Sequence, residues 1–135
     1  MNFNNLHQDV IDMVNEVKEK IVLHWNYRGL SEIPEAVRPY GTRVEEIYLK
    51  WNCLKCLPFW ISDFSNITNL YLYGNSIDHL PLSLGKMTKL CVLDLSANQL
   101  KDLPTNLGVL INLKSLLINQ NQITSLPHCE YFLLD

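Results

Sequence analysis

The sequence predicts a small α/β solenoid, with short parallel strands on a concave face, irregular or short helical segments on the convex side and an N-terminal capping helix. Three observations predict it: an internal repeat of 23 residues, alternating apolar residues within each repeat, and a stretch of helical periodicity ahead of the first one. The chain has 135 residues, enough for one domain that buries roughly 68% of its unfolded surface.

The repeat is read directly. VEEIYLKWNCLKCLP starts at Val44, ITNLYLYGNSIDHLP at Ile67, LCVLDLSANQLKDLP at Leu90 and LKSLLINQNQITSLP at Leu113. Asparagines recur at Asn52, Asn75, Asn98 and Asn121, and prolines at Pro58, Pro81, Pro104 and Pro127. A coil of this size cannot bury its own apolar face, so coils must stack. Pairs such as Ile47 and Leu49, or Leu93 and Leu95, alternate as in a strand with one face in the core. The recurring Asn has a short amide suited to bonding peptide groups within the turn after the strand. Between repeats, PFWISDFSNI, PLSLGKMTKL and PTNLGVLINL keep Ile61, Leu84 and Leu107 in step, with Phe64, Met87 and Leu110 three residues later. That spacing suits a short helical or irregular return.

An earlier, degenerate unit, LHWNYRGLSEIP, aligns with an offset of 24 and carries Arg28 where later units have Asn. Its turn is expected to be the loosest. Its spacer, PEAVRPYGTRV, has one extra residue and Pro39, which predicts an irregular turn. Residues 7–22 place Val10, Met13, Val14, Val17 and Ile21 at helical spacing, with Asp9, Asp12, Glu16, Lys18 and Glu19 on the other sides. The division is therefore residues 1–22 as an amphipathic cap over the first coil and 23–135 as the repeat domain, with a partial last spacer. A membrane-binding or partner-binding helix is the alternative reading of that segment, but its polar side is mixed or acidic rather than basic.

Lys plus Arg number 11 and Asp plus Glu 14, for a formal charge of -3, and no basic block is present to neutralise phosphates. Nucleic acid is thus not an expected partner. Nor is a membrane, because no apolar run approaches the roughly 18 residues a span needs. No secretory pattern of basic then apolar residues opens the chain, so a reducing, cytoplasmic setting is expected.

These motifs resemble leucine-rich repeat proteins of the intracellular 23-residue kind, whose units follow LxxLxLxxNxLxxLP. The resemblance runs from about Leu23 to the C-terminus and departs from the pattern at Arg28. Several members of that family are scaffolds or binding subunits that present a concave sheet to another protein. By this pattern, one solvent-facing column reads His24, Tyr48, Tyr71, Asp94 and Leu117. The next reads Asn26, Lys50, Tyr73, Ser96 and Asn119, and the flanking one Tyr27, Trp51, Gly74, Ala97 and Gln120. Aromatics crowd the N-terminal half. The candidate protein-binding residues are therefore Tyr27, Tyr48, Lys50, Trp51, Tyr71, Tyr73 and Asp94. The alternative is that the rings only stack across strands and stabilise the sheet.

Catalytic residues, cofactors and metals are not expected. His7, His24, His79 and His128 are scattered, and His24 and Asp94 lie three strands apart at about 4.8 Å per strand, too far for a dyad. Cys53 and Cys56 form a CxxC without a second pair beside it, since Cys91 belongs two coils away and Cys129 lies in the final spacer. The expected role is non-catalytic protein recognition or scaffolding by a monomer or weak dimer. Two alternatives stand beside it: self-assembly through an open C-terminal edge near FLLD, and metal or redox chemistry at the CxxC pair.

Overall fold

The computed structural model describes residues 3–124. An α-helix, α1 (Phe3–Glu19), is followed by five three-residue strands: β1 (Val22–His24), β2 (Glu46–Tyr48), β3 (Asn69–Tyr71), β4 (Val92–Asp94) and β5 (Ser115–Leu117). They form one parallel sheet in chain order, and Leu23, Ile47, Leu70, Leu93 and Leu116 lie in register across it. All five are buried, each contributing about 1.5–3 kcal/mol of apolar burial. Chain returns between strands are 3-10 helices over Glu35–Arg43, Phe59–Asp63, Leu82–Lys86 and Thr105–Val109. Pro34, Pro58, Pro81 and Pro104 precede them in extended conformation, where the fixed proline φ suits the entry to a turn.

Ladder hydrogen bonds continue past the assigned strands. Trp25 and Tyr27 donate to the carbonyls of Tyr48 and Lys50, Leu49 and Trp51 to those of Tyr71 and Tyr73, and Leu72 and Gly74 to those of Asp94 and Ser96. The four ladders reach residues with left-handed backbone at Tyr27, Trp51, Gly74 and Ala97, and Gln120 has the same conformation at the equivalent position of the last described coil. The asparagine column then closes the turn. Asn75 donates to the carbonyls of Leu49 and Leu72 and accepts from the Leu54 N–H, and Asn98 does the same with Leu72, Leu95 and Ile77. One amide thus serves its own turn and ties it to the coil before it, a wider task than bonding within one turn.

That backward reach explains Arg28. Asn52 Oδ1 accepts the N–H groups of both Arg28 and Leu30 at 3.0 Å, so the first turn is tied down rather than loose. Among the described residues no strand precedes β1, and Arg28 turns instead to α1, pairing with Glu16 at 3.4 Å and donating to the His24 carbonyl. Glu16 also accepts the indole N–H of Trp25 at 3.0 Å. Met13 and Val17 of α1 are buried, Val14 is partly buried, and Ile21 is exposed. The helix ends at Glu19, short of Val22, because the Ile21 carbonyl accepts from Glu45 and Glu46 and so opens the ladder. The first spacer is 3-10 helical rather than irregular. Gly41 lets it fit, since a Cβ there would stand 2.2 Å from the Phe64 ring.

Candidate functional site

Side chains on the solvent side of the sheet form two lanes of rings. In the inner lane His24 stacks on Tyr48 with centroids 5.2 Å apart, and Tyr48 on Tyr71 at 4.6 Å and 13°. Parallel strands cause this, because register partners His24, Tyr48 and Tyr71 repeat at nearly the strand spacing. In the outer lane Tyr27 stacks on Trp51 at 6.5 Å and 15°, and Trp51 meets Tyr73 edge-on at 5.1 Å. Left-handed backbone at Tyr27 and Trp51 turns these rings outward, leaving them 74% and 47% exposed. Gly74 makes room for the indole: a Cβ there would lie 2.6 Å from Trp51 Cε3.

Polar groups frame the rings. The Lys50 ammonium sits 5.2 Å from the centroid of Tyr71, and the Asn69 amide donates to the Tyr71 hydroxyl at 2.9 Å. Desolvation, then the Glu46 carboxylate and Tyr71, pushes the Tyr48 hydroxyl above the ordinary tyrosine range. The chain therefore brings Tyr27, Tyr48, Lys50, Trp51, Tyr71 and Tyr73 together on one face. Asp94 joins them in register beside Tyr71, but its side chain does not stand out to solvent. It is 6% exposed, lies between the longer Tyr71 and Leu117, and accepts the Ser96 N–H at 3.0 Å. Ser96, also expected to face solvent, is buried as well.

Three residues of the face are not among the candidate binding residues. His24, already in the first column, extends the inner stack, while Glu46 and Asn69, absent from every column, stand two residues ahead of Tyr48 and Tyr71 on the same side of the sheet. Strict alternation along each strand was the signal for the last two.

Cys53 and Cys56 are exposed free thiols, and Cys91 is a half-buried one whose Sγ points at the Lys89 carbonyl. Cys56 lines a cleft of about 250 Å³ with Glu32, Ile33, Glu35, Pro58 and Trp60. Among the described residues no group of three or more His, Cys, Asp or Glu side chains is placed to hold a metal, and no helix is long and apolar enough to cross a membrane. Cys129, His128, Pro127 and the FLLD edge lie outside the described residues.

No protein-family model and no curated protein matches the sequence. Among solved structures the chain is similar to a leucine-rich-repeat protein of Leptospira interrogans, with a TM-score of 0.70 and 24% identity over 87% of this chain. It spans 36% of that protein's length. It is also similar to the BIR2 ectodomain of Arabidopsis thaliana, with a TM-score of 0.62 and 20% identity, covering 78% of this chain and 68% of that one. At these identities the likeness is one of fold, and the chain has the architecture of a leucine-rich-repeat-like α/β solenoid.

Proposed function

We propose that this chain is a non-catalytic protein-recognition or scaffolding module of the cytoplasm, and that its binding surface is the aromatic strand face. The observation that carries the reading is the contiguity of six rings, His24, Tyr27, Tyr48, Trp51, Tyr71 and Tyr73, on one side of a five-stranded sheet. Tyrosine and tryptophan are enriched where interfaces concentrate their energy, because they bury large area at small entropic cost. Stacking alone stabilises a sheet, but it does not call for large rings at Tyr27 and Trp51, where the turn common to every coil leaves them exposed and Ala97 or Gln120 serves the same turn without a ring. Lys50 and the amides of Asn26 and Asn69 would orient the partner. The cytoplasmic placement rests on the 23-residue LxxLxLxxNxLxxLP unit, on the resemblance to intracellular repeat proteins, and on exposed free thiols, which suit a reducing compartment.

The test is affinity capture from lysate with the intact chain beside a Tyr48→Ala, Tyr71→Ala, Tyr73→Ala variant, after circular dichroism has shown both to be folded. Partners retained by the intact chain and lost by the variant are the expected result. The same partners at the same yield on both would place recognition elsewhere.

A further inference from the structure

The inner ring stack ends at Asp94. His24, Tyr48 and Tyr71 follow one another at 5.2 and 4.6 Å, and the next residue in register is a carboxylate instead of a ring. That carboxylate is buried, yet the one hydrogen bond it accepts among the described residues comes from the Ser96 N–H. A carboxylate has room for about four donors, and the Asp94 oxygens are not among the sealed, unpartnered side-chain atoms, so a donor from outside can reach the free positions. Ion pairs among the described residues join Arg28 to Glu16, Arg38 to Glu35 and Asp63, and His79 to Asp78, and none involves Asp94. Lys50 stands over Tyr71 without pairing to it. The middle of the strand face thus combines a buried, under-used negative group with the end of a stack of rings.

We propose that Asp94 anchors an arginine side chain of the partner, laid beside Tyr71 as the next rung of the stack. The inference rests on the strand-face reading above and specifies its partner as a protein segment bearing an exposed arginine. A guanidinium fits better than an ammonium because it is planar, stacks on rings, and offers two parallel donors to a carboxylate. The chain already builds this arrangement within itself: Arg38 lies 5.2 Å over the Phe59 ring while its Nε donates to Asp63 at 2.8 Å. Tyr71 and Asp94 supply the same two walls and lack the guanidinium. The overall charge of -3 also favours approach of a basic segment.

The probe is Nα-acetyl-argininamide, titrated into the isotopically labelled intact chain and followed by the backbone amide shifts. Saturable shifts centred on Ser96 and Tyr71 are expected, with none from Nα-acetyl-citrullinamide, the neutral isostere. Asp94→Asn keeps an oxygen for the Ser96 N–H and should weaken binding of the arginine compound about tenfold. The proposal is overturned if the citrulline compound shifts the same amides as strongly, or if the arginine compound shifts only amides elsewhere. Both comparisons run on the unaltered chain, so they hold whether or not Asp94→Asn folds. A captured partner that depends on the tyrosines and binds Asp94→Asn undiminished would overturn the anchor and leave the face standing. A partner indifferent to the tyrosines would overturn the face itself.

Discussion

Left-handed backbone at Tyr27, Trp51, Gly74, Ala97 and Gln120 shapes the candidate site, with φ between 55° and 77°. Such a conformation costs a residue with a Cβ about 1–2 kcal/mol, and the chain accepts that cost at four of the five positions. At Gly74 the absence of a side chain has a second use, because the Trp51 ring lies across its Cα. Gly74→Ala is therefore expected to lower the urea-unfolding free energy by about 1 kcal/mol, and to lift the indole from its neighbour. Trp25 and Trp60 are buried, so iodide quenching of fluorescence reads Trp51, and quenching should rise in the variant. Unchanged stability and unchanged quenching together would contradict the close approach. Sequence columns placed these five residues in line, and the lone glycine among them was the only sign of their conformation. Asp94 was harder to read. A column shows which side of the sheet a residue occupies, while burial depends on how far Tyr71 and Leu117 rise beside it.

At the level of the repeating element, asparagine is the residue that couples one coil to the next. Asn75 and Asn98 are buried, Asn75 donating to two carbonyls and Asn98 to three and each accepting once, whereas Asn121 makes the same kinds of bond from a half-buried position. Truncating Asn75 to Ala strands the Leu54 N–H and weakens the satisfaction of two carbonyls, at about 1–3 kcal/mol for a buried group left unpaired. Asn75→Ala should thus cost about 3 kcal/mol in urea or thermal unfolding and Asn121→Ala clearly less, since water reaches its partners. Equal losses would show that burial does not govern the ladder. Strands, turns and returns were legible because the 23-residue period repeats them, and Ile61, Leu84 and Leu107 are buried where the spacing put them. Unique features were not. Arg28 reads as a missing asparagine until α1 supplies Glu16, and the helix boundary at Glu19 depends on a carbonyl bond to β2 that no local pattern encodes.

Across the whole molecule, stacking makes each coil's stability depend on its neighbours. Contacts between elements join adjacent strands and adjacent 3-10 segments, with α1 packed on the first of these. Free energy in such an array approximates a sum of coil terms and nearest-neighbour terms. Leucines at one register position allow this to be measured, because Leu70 and Leu93 touch across β3 and β4 while Leu23 and Leu116 lie four strand spacings apart, about 19 Å. Each Leu→Val substitution removes one methylene from the core, at about 1 kcal/mol. In a double-mutant cycle, Leu70→Val with Leu93→Val should depart from additivity by about 0.5 kcal/mol or more, because the second side chain relaxes into space left by the first. Leu23→Val with Leu116→Val should add to within about 0.5 kcal/mol. Strong coupling of the distant pair would mean that the coils form one continuous core whose ends sense each other. A substitution at the β5 end would then disturb the aromatic face on β1 to β3, and the quenching of Trp51 would change with it. Local coupling instead confines a substitution on β5 to its own coil and the next one, so the aromatic face on β1 to β3 can be tested without disturbance from the far end of the solenoid.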